Sequence, residues 1–212
     1  MLNIDIIKNW KDKEISQLVI EYYEMFDLLN LTLGGLQQSL EEMTMVKQYL
    51  NGRKFKNFVE LGYCDGGSLW MYGNMFCEVN SKIRGVDKIN NPCTTLVARG
   101  LFQRGRNISL IQNKFENITE EFLDESIDLL HIDVDHDYAG VSNCFKLYYP
   151  KVAKGGVILI HDTEPEGDSR RFRKEVLEPN YNCRTFAGNY LVSGTYTEGV
   201  QIQQPGITLI IK

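Results

Sequence analysis

The sequence predicts an α/β protein: a doubly wound parallel sheet that ends in an antiparallel hairpin, with two helices ahead of it. Three observations carry this. From about residue 55 onward, short apolar runs alternate with helix-length segments, the rhythm of a parallel sheet covered on both faces with right-handed crossovers. Four of the five runs end in glycine or in an acid, and the third ends at Gln112-Asn113. After Pro179 the rhythm changes to short strand-like runs separated by turn residues.

The first 54 residues are helical in pattern. Ile15, Leu18, Val19, Tyr22, Tyr23 and Phe26 recur at helical spacing, and Gly34 with Gly35 interrupts them. Ser39 and Glu42 then form a capping-box pattern ahead of Met43, Val46 and Leu50. Residues 1–54 are therefore expected to be a helical extension packed on a main domain of residues 55–212. In that domain the expected strands are Asn57–Gly62, Lys82–Asp87, Ile108–Ile111, Ile127–Asp133 and Gly156–Asp162, each followed by a helix-length segment. The closing hairpin draws on Arg184–Phe186, Tyr190–Val192 and Ile207–Ile211, with Gly199, Pro205 and Gly206 in the turns.

Composition narrows the function. With 212 residues, 43% of them hydrophobic and 24% charged, the chain buries a full core without metal or disulfide staples. Lys and Arg number 23 against 28 Asp and Glu, a net charge of −5, so the overall field repels phosphate backbones and anionic lipid. Nucleic acid and membrane are not expected partners. Cys64, Cys77, Cys93, Cys144 and Cys183 are odd in number and contain no C-x-x-C pair, which points to a reducing compartment. The N-terminus carries no secretory pattern and no apolar run approaches about 20 residues, so a cytoplasmic location is expected.

In a doubly wound sheet, ligands bind at the carboxyl ends of the strands where the strand order reverses. The first run leads into Gly62-Tyr-Cys-Asp-Gly66-Gly67-Ser68 and then a helix. Such a turn lets the backbone approach a ligand and offers it free N–H groups. It matches neither the dinucleotide fingerprint nor the phosphate loop, because the spacing differs and no lysine follows. The next run ends at Asp87, where a carboxylate can accept both hydroxyls of a ribose. Glycine turn and strand-end acid in this order point to a nucleoside-containing cofactor. All three histidines fall at two later strand ends, His131-Ile-Asp133-Val-Asp135-His136 and His161-Asp162-Thr163. Alternation along a strand puts His131, Asp133 and Asp135 on one side if the extension continues that far. Asp133 and Asp162, on neighbouring strands, can then converge on a cation: Mg²⁺, Ca²⁺ or Mn²⁺ with oxygen ligands, Fe or Zn if histidine joins. The competing structural roles are helix capping for the acids and core packing for His131.

Taken together, Phe58–Leu69, Asp87, Ile127–Val141 and Tyr149–Thr163 resemble the class I S-adenosylmethionine-dependent methyltransferases. Within that group they resemble most the small family-24 type, with its macrocin O-methyltransferase and cephalosporin hydroxylase-like relatives. The resemblance covers about residues 55–212. It implies a Rossmann-like seven-stranded sheet with the terminal antiparallel strand inserted near one edge. It also implies that Glu60, Gly62, Gly66 and Ser68 surround the methionine part of S-adenosyl-L-methionine, that Asp87 holds its ribose, and that Asn113 sits by its adenine, with Asp133 alongside. A divalent cation, with Mg²⁺ as the candidate, would sit at Asp133, His161 and Asp162, although histidine at the second position departs from the acidic or amide groups of metal-using relatives. Asp135 or His136 matches the place of the general base.

The expected activity is methyl transfer to an oxygen of a small molecule or sugar. Three other readings compete. The run H-x-D-x-D-H resembles that of a metal-dependent hydrolase. His161 in place of an acid would suit a cofactor-binding module without turnover. A glycosyltransferase using Asp133 and Asp135 for a nucleotide-sugar metal leaves the glycine turn idle. Arg170, Arg171 and Arg173 are either acceptor contacts or a solvated helix face with Arg171 paired to Glu175, and Leu36–Ser39 either folds over the cofactor or starts a capped helix. The oligomeric state is open, a homo-oligomer included.

Overall fold

The structure, a computed structural model, describes residues 7–27, 36, 38–89, 91–164, 167–188 and 206–212. Helices α1 (Lys13–Asp27) and α2 (Leu40–Leu50) precede strand β1 (Phe55–Leu61), after which the alternation begins. It runs α3 (Gly67–Phe76), β2 (Cys77–Asp87), α4 (Pro92–Gln103), β3 (Asn107–Gln112), β4 (Ile127–Ile132), α5 (Tyr138–Tyr148) and β5 (Val152–Ile160). A helical segment over 168–180 follows, made of α6 (Asp168–Phe172), one π turn (Arg173–Leu177) and α7 (Glu178–Asn180). Strands β6 (Cys183–Phe186) and β7 (Ile207–Ile211) close the chain.

The sheet has seven strands in the order β3-β2-β1-β4-β5-β7-β6. Strands β1 to β5 pair in parallel, and β7 inserts antiparallel between β5 and β6. The order reverses between β1 and β4, which makes that junction the crevice where a ligand is expected. Both faces are covered. Leu129, Leu159 and Phe58 point into a core shared with α1, α2, α3 and α4, while Val59, Leu130 and Ile160 point into a second core with α5 and Phe172. Burial on both sides is why these strands read as unbroken apolar runs rather than alternating ones.

The same alternation places polar residues. Glu60 pairs in register with His131, and the two share the face of Phe58 and Leu129; His161, one residue past Ile160, faces the same way. Backbone hydrogen bonds carry the sheet past the strand ends, from Gly62 N–H to Val86, from Asp133 N–H to Leu61 and from His161 N–H to Ile132. The rim on which ligands bind is thus held by the ladder itself.

Several expectations change in detail. The segment after β3 is a 3₁₀ helix of 7 residues, Phe115–Glu121, not an α-helix; Ile118 and Phe122 from this stretch join the second core. Strand β2 begins five residues earlier than expected, directly at the end of α3. Ser39 does cap α2, accepting from the Glu42 N–H at 3.4 Å, but the Glu42 side chain does not return the bond: it is buried and accepts from Gly188 and Gly206 instead. The stripe on α1 is core, with Tyr22 and Phe26 fully buried. The expected break at Gly34 and Gly35, the run Tyr190–Val192 and the turns at Gly199 and Pro205 lie outside the described residues. No helix among the described residues is long and apolar enough to cross a membrane, and all five cysteines are free thiols.

Candidate active site

Strand β1 ends at a turn that only glycine can make. Gly62 has φ +86°, and a Cβ there would drive into the backbone carbonyl of Asp133, the residue just past the end of the neighbouring strand β4. Gly66, with φ +81°, starts α3 as its N-cap. Asp87 ties the turn from the next strand: one oxygen accepts from the Cys64 N–H at 2.8 Å and the other from the Ile89 N–H at 2.9 Å. Each oxygen keeps a further lone pair for a ligand hydroxyl. Asp65 is held by the Asn91 amide at the start of α4, so the turn is fixed both from the end of β2 and from the start of α4.

Above this turn lies a cavity of about 550 Å³ whose wall includes Gly62, Asp87, Asn113, Asp133, Asp135 and His136. A second, smaller cavity of about 30 Å³ continues from Gly62 and Asp133 to Ser68 and Gln38. Of the residues proposed for the cofactor, Gly62, Asp87, Asn113 and Asp133 line the large cavity and Ser68 the small one. Glu60 lines neither; fully buried, it accepts from the Ser68 hydroxyl and stands 3.1 Å from His131 Nδ1. Gly66 also lies outside both linings and acts as the helix cap. Gln38, from the stretch before α2, reaches the small cavity while accepting from the Tyr72 hydroxyl at 3.0 Å; Gln37 lies outside the described residues.

The acid and histidine cluster divides in two. His136 Nε2 stands 3.4 Å from Asp133 Oδ1 and 3.1 Å from Asp162 Oδ2. One atom each from Asp133, His136 and Asp162 lies within 4.8 Å of the others, a spacing that suits one cation. His161 Nδ1 stands 3.6 Å from Asp133 and 3.5 Å from Asp162. Asp162 achieves this from the left-handed region, φ +54°, a conformation that aspartate tolerates better than most residues. The other two acids and the remaining histidine go elsewhere. Asp135 is exposed and paired with Lys88 at 2.6 Å, Asp137 caps α5 by accepting from the Gly140 N–H, and His131 packs edge-on against Tyr72. The run H-x-D-x-D-H therefore does not gather around one point, and the hydrolase arrangement is not formed: the strand stops at Ile132, so alternation no longer governs Asp135.

Electrostatics follow from this packing. Burial opposes the Asp133 charge, yet His161 above all, with His136 and His131, holds its carboxyl well below the usual carboxylate range. His136 is held above its ordinary value, first by the Asp133 carboxylate and then by Asp162, against partial burial. Burial pushes the His161 imidazole down, but Asp133 and Asp162 outweigh it and hold the ring well above its ordinary value. A group whose folded pKa is raised stabilises the fold fully below its unfolded pKa, about 6.5, and loses that contribution as pH rises through the folded value. Urea titrations in EDTA should therefore show native protein exceeding His161→Gln in stability by more at pH 6 than at pH 9. A constant difference would contradict the ion pairs.

Two residues were not legible as site residues in the sequence: Glu42, whose only local signal was a helix cap, and Lys88, which lines the large cavity as the partner of Asp135. The arginines stay structural where described: Arg173 is buried between Glu164 and Glu178 at 3.0 and 3.1 Å, and Arg171 pairs with Glu175 at 3.0 Å.

Comparison with known proteins finds a matching family model and structures of the same fold. The family model of a methyltransferase domain, family 24, matches residues 59–163. An uncharacterized protein of Acanthamoeba polyphaga mimivirus is 31% identical over 116 residues, 50% of this chain and 50% of that protein. An uncharacterized protein of Sinorhizobium fredii is 38% identical over 55 residues, 26% of this chain and 6% of that protein. The matches thus span half the length of the first and a small part of the second. Among solved structures, an O-methyltransferase from Bacillus cereus in complex with SAH superposes with TM-score 0.62 at 16% identity, covering 97% of this chain and 100% of that one. A methyltransferase from Geobacter sulfurreducens gives TM-score 0.61 at 11% identity over 92% of this chain and 89% of that one. The O-methyltransferase TomG from Streptomyces achromogenes, in complex with SAM, gives 0.59 at 12% identity over 92% and 89%.

Proposed function

We propose that this chain, which belongs to the family-24 methyltransferases through its residues 59–163, moves a methyl group from S-adenosyl-L-methionine to an oxygen of a small molecule or sugar, assisted by a divalent cation. The observation that carries the reading is shared wall: Asp133 and His136 belong both to the cavity above the glycine turn and to the acid and histidine cluster. Donor and acceptor therefore meet at the same residues. The protein titrated with S-adenosylhomocysteine, with and without EDTA, tests it. Micromolar binding is expected, and Asp87→Ala should weaken that binding by about 1–3 kcal/mol through loss of its ribose contacts; unchanged affinity would remove Asp87 from the site.

The residues divide the work. Asp87 accepts from the ribose hydroxyls, Asn113 lies on the adenine side, and the N–H groups at the start of α3 with Ser68 and Gln38 meet the amino-acid end. When bound, the cofactor supplies an electrophilic methyl on a sulfonium, so the protein has only to hold the acceptor in line and take its proton. Asp133, Asp162 and His136 fit a divalent cation, which would lower the pKa of an acceptor hydroxyl. With a cation on its Nε2, His136 would be a ligand rather than the base. Asp135, at the cavity edge beside Lys88, would then take the proton of the acceptor hydroxyl. With its cysteines as free thiols, the enzyme would work in the cytoplasm.

A further inference from the structure

His161 stands where the pattern of the resemblance has an acid or amide, and the structure shows what accompanies that change. The residue is 5% exposed, and neither ring nitrogen has a hydrogen-bond partner among the described residues. Its Nδ1 points between Asp133 and Asp162 at 3.6 and 3.5 Å. Its Nε2 points the other way, 3.9 Å from Glu42 Oε2. Glu42 is itself 1% exposed. Its Oε1 accepts from the Gly188 and Gly206 N–H groups at 3.0 and 2.7 Å, while Oε2 has no hydrogen-bond partner among the described residues. One oxygen of Glu42 is anchored and the other is presented to the imidazole.

We infer that Glu42, from the helix ahead of the matched domain, keeps the Nε2–H tautomer of His161 and so leaves Nδ1 as a fourth cation ligand beside Asp133, Asp162 and His136. This rests on the cation half of the proposed function and sharpens it: two imidazoles and two carboxylates form a set that selects Fe²⁺, Co²⁺ or Zn²⁺ over Mg²⁺. A carboxylate behind a ligating histidine fixes its tautomer and raises its basicity. Donors about 2.1 Å from one ion stand about 3.0–3.5 Å apart; the contacts His136–Asp162, His136–Asp133 and His161–Asp162 measure 3.1, 3.4 and 3.5 Å, and His161–Asp133 lies just outside at 3.6 Å. Imidazole suits later first-row ions, whereas Mg²⁺ prefers oxygen ligands and keeps its waters. Glu42 acts through His161 and is a positioning residue.

The test uses the full chain stripped with chelator, then titrated with Co²⁺ and with Mg²⁺. In the Co²⁺-loaded protein, proton NMR should show a hyperfine-shifted, slowly exchanging imidazole N–H, the Nε2–H of buried His161. Glu42→Gln keeps an oxygen for Gly188 and Gly206 but turns a donor toward Nε2, forcing the other tautomer. It should lose that resonance and weaken Co²⁺ about 10- to 100-fold, with Mg²⁺ changed less than about 3-fold. His161→Asn, which does not depend on Glu42→Gln folding, should shrink the Co²⁺ to Mg²⁺ affinity ratio by a similar factor. A native spectrum without such a resonance, ratios unchanged in His161→Asn, or Glu42→Gln weakening both ions equally overturns the inference. Intact S-adenosylhomocysteine binding with neither ion bound removes the cation site and this inference together, while methyl transfer stands; absent S-adenosylhomocysteine binding strikes the proposed function itself.

Discussion

Gly62→Ala lowers stability by about 2–5 kcal/mol and abolishes cofactor binding. Two costs combine. At φ +86° an alanine pays about 1–2 kcal/mol for the left-handed conformation. The added Cβ also meets the Asp133 carbonyl, which cannot yield cheaply because Gly62 and Asp133 are both tied into the ladder, to Val86 and Leu61 at 2.8 Å each. Overpacking against backbone costs about 1–3 kcal/mol more. Whatever relaxation occurs pushes β1 from β4 at the strand-order reversal, moving Asp133 and deforming both cavities. Gly155→Ala is the control: it has φ +76° but open space around its Cβ position, so it pays only the conformational cost and leaves cofactor affinity alone. Urea unfolding and S-adenosylhomocysteine titration of the two variants decide the matter. Equal behaviour would mean that the close approach at Gly62 does not matter.

Asp133→Asn lowers methyl transfer by about 10³-fold or more, with S-adenosylhomocysteine affinity changed by less than about 10-fold. The amide keeps the volume and the cavity wall but removes the charge that two histidines share, His136 at 3.4 Å and His161 at 3.6 Å. His136 then loses the main influence that raises its pKa, and divalent cation affinity falls by at least about 100-fold. Transfer of labelled methyl to a panel of catechols and hexoses, beside Mn²⁺ titration followed by EPR, measures both. A variant that retains native transfer rates would take the carboxylate out of the chemistry. Comparable losses of transfer and of S-adenosylhomocysteine affinity would instead assign Asp133 to the cofactor.

How far the site could be read ahead of the structure depended on which contacts were local. Gly62, Asp87, Asp133 and Asp162 were readable because each ends an apolar run, and in a parallel sheet strand ends share one rim. Asp135 and His131 were not. Alternation placed them with Asp133, but the strand stops at Ile132, which frees Asp135 to pair with Lys88, and His131 is drawn to Glu60 across the sheet. Glu42 carried the pattern of a capping box, and its actual partners lie 146 and 164 residues away.

The sequence by itself determined the alternation of elements, the glycine turn, the strand-end acids and the residues buried on both faces, since periodicity and backbone restriction act over a few neighbours. Only the tertiary structure decided which nitrogen of which histidine faces which carboxylate. That choice depends on α2 packing against β6 and on the backbone N–H groups of Gly188 and Gly206 holding one oxygen of Glu42, contacts between segments whose separation along the chain leaves no periodic trace.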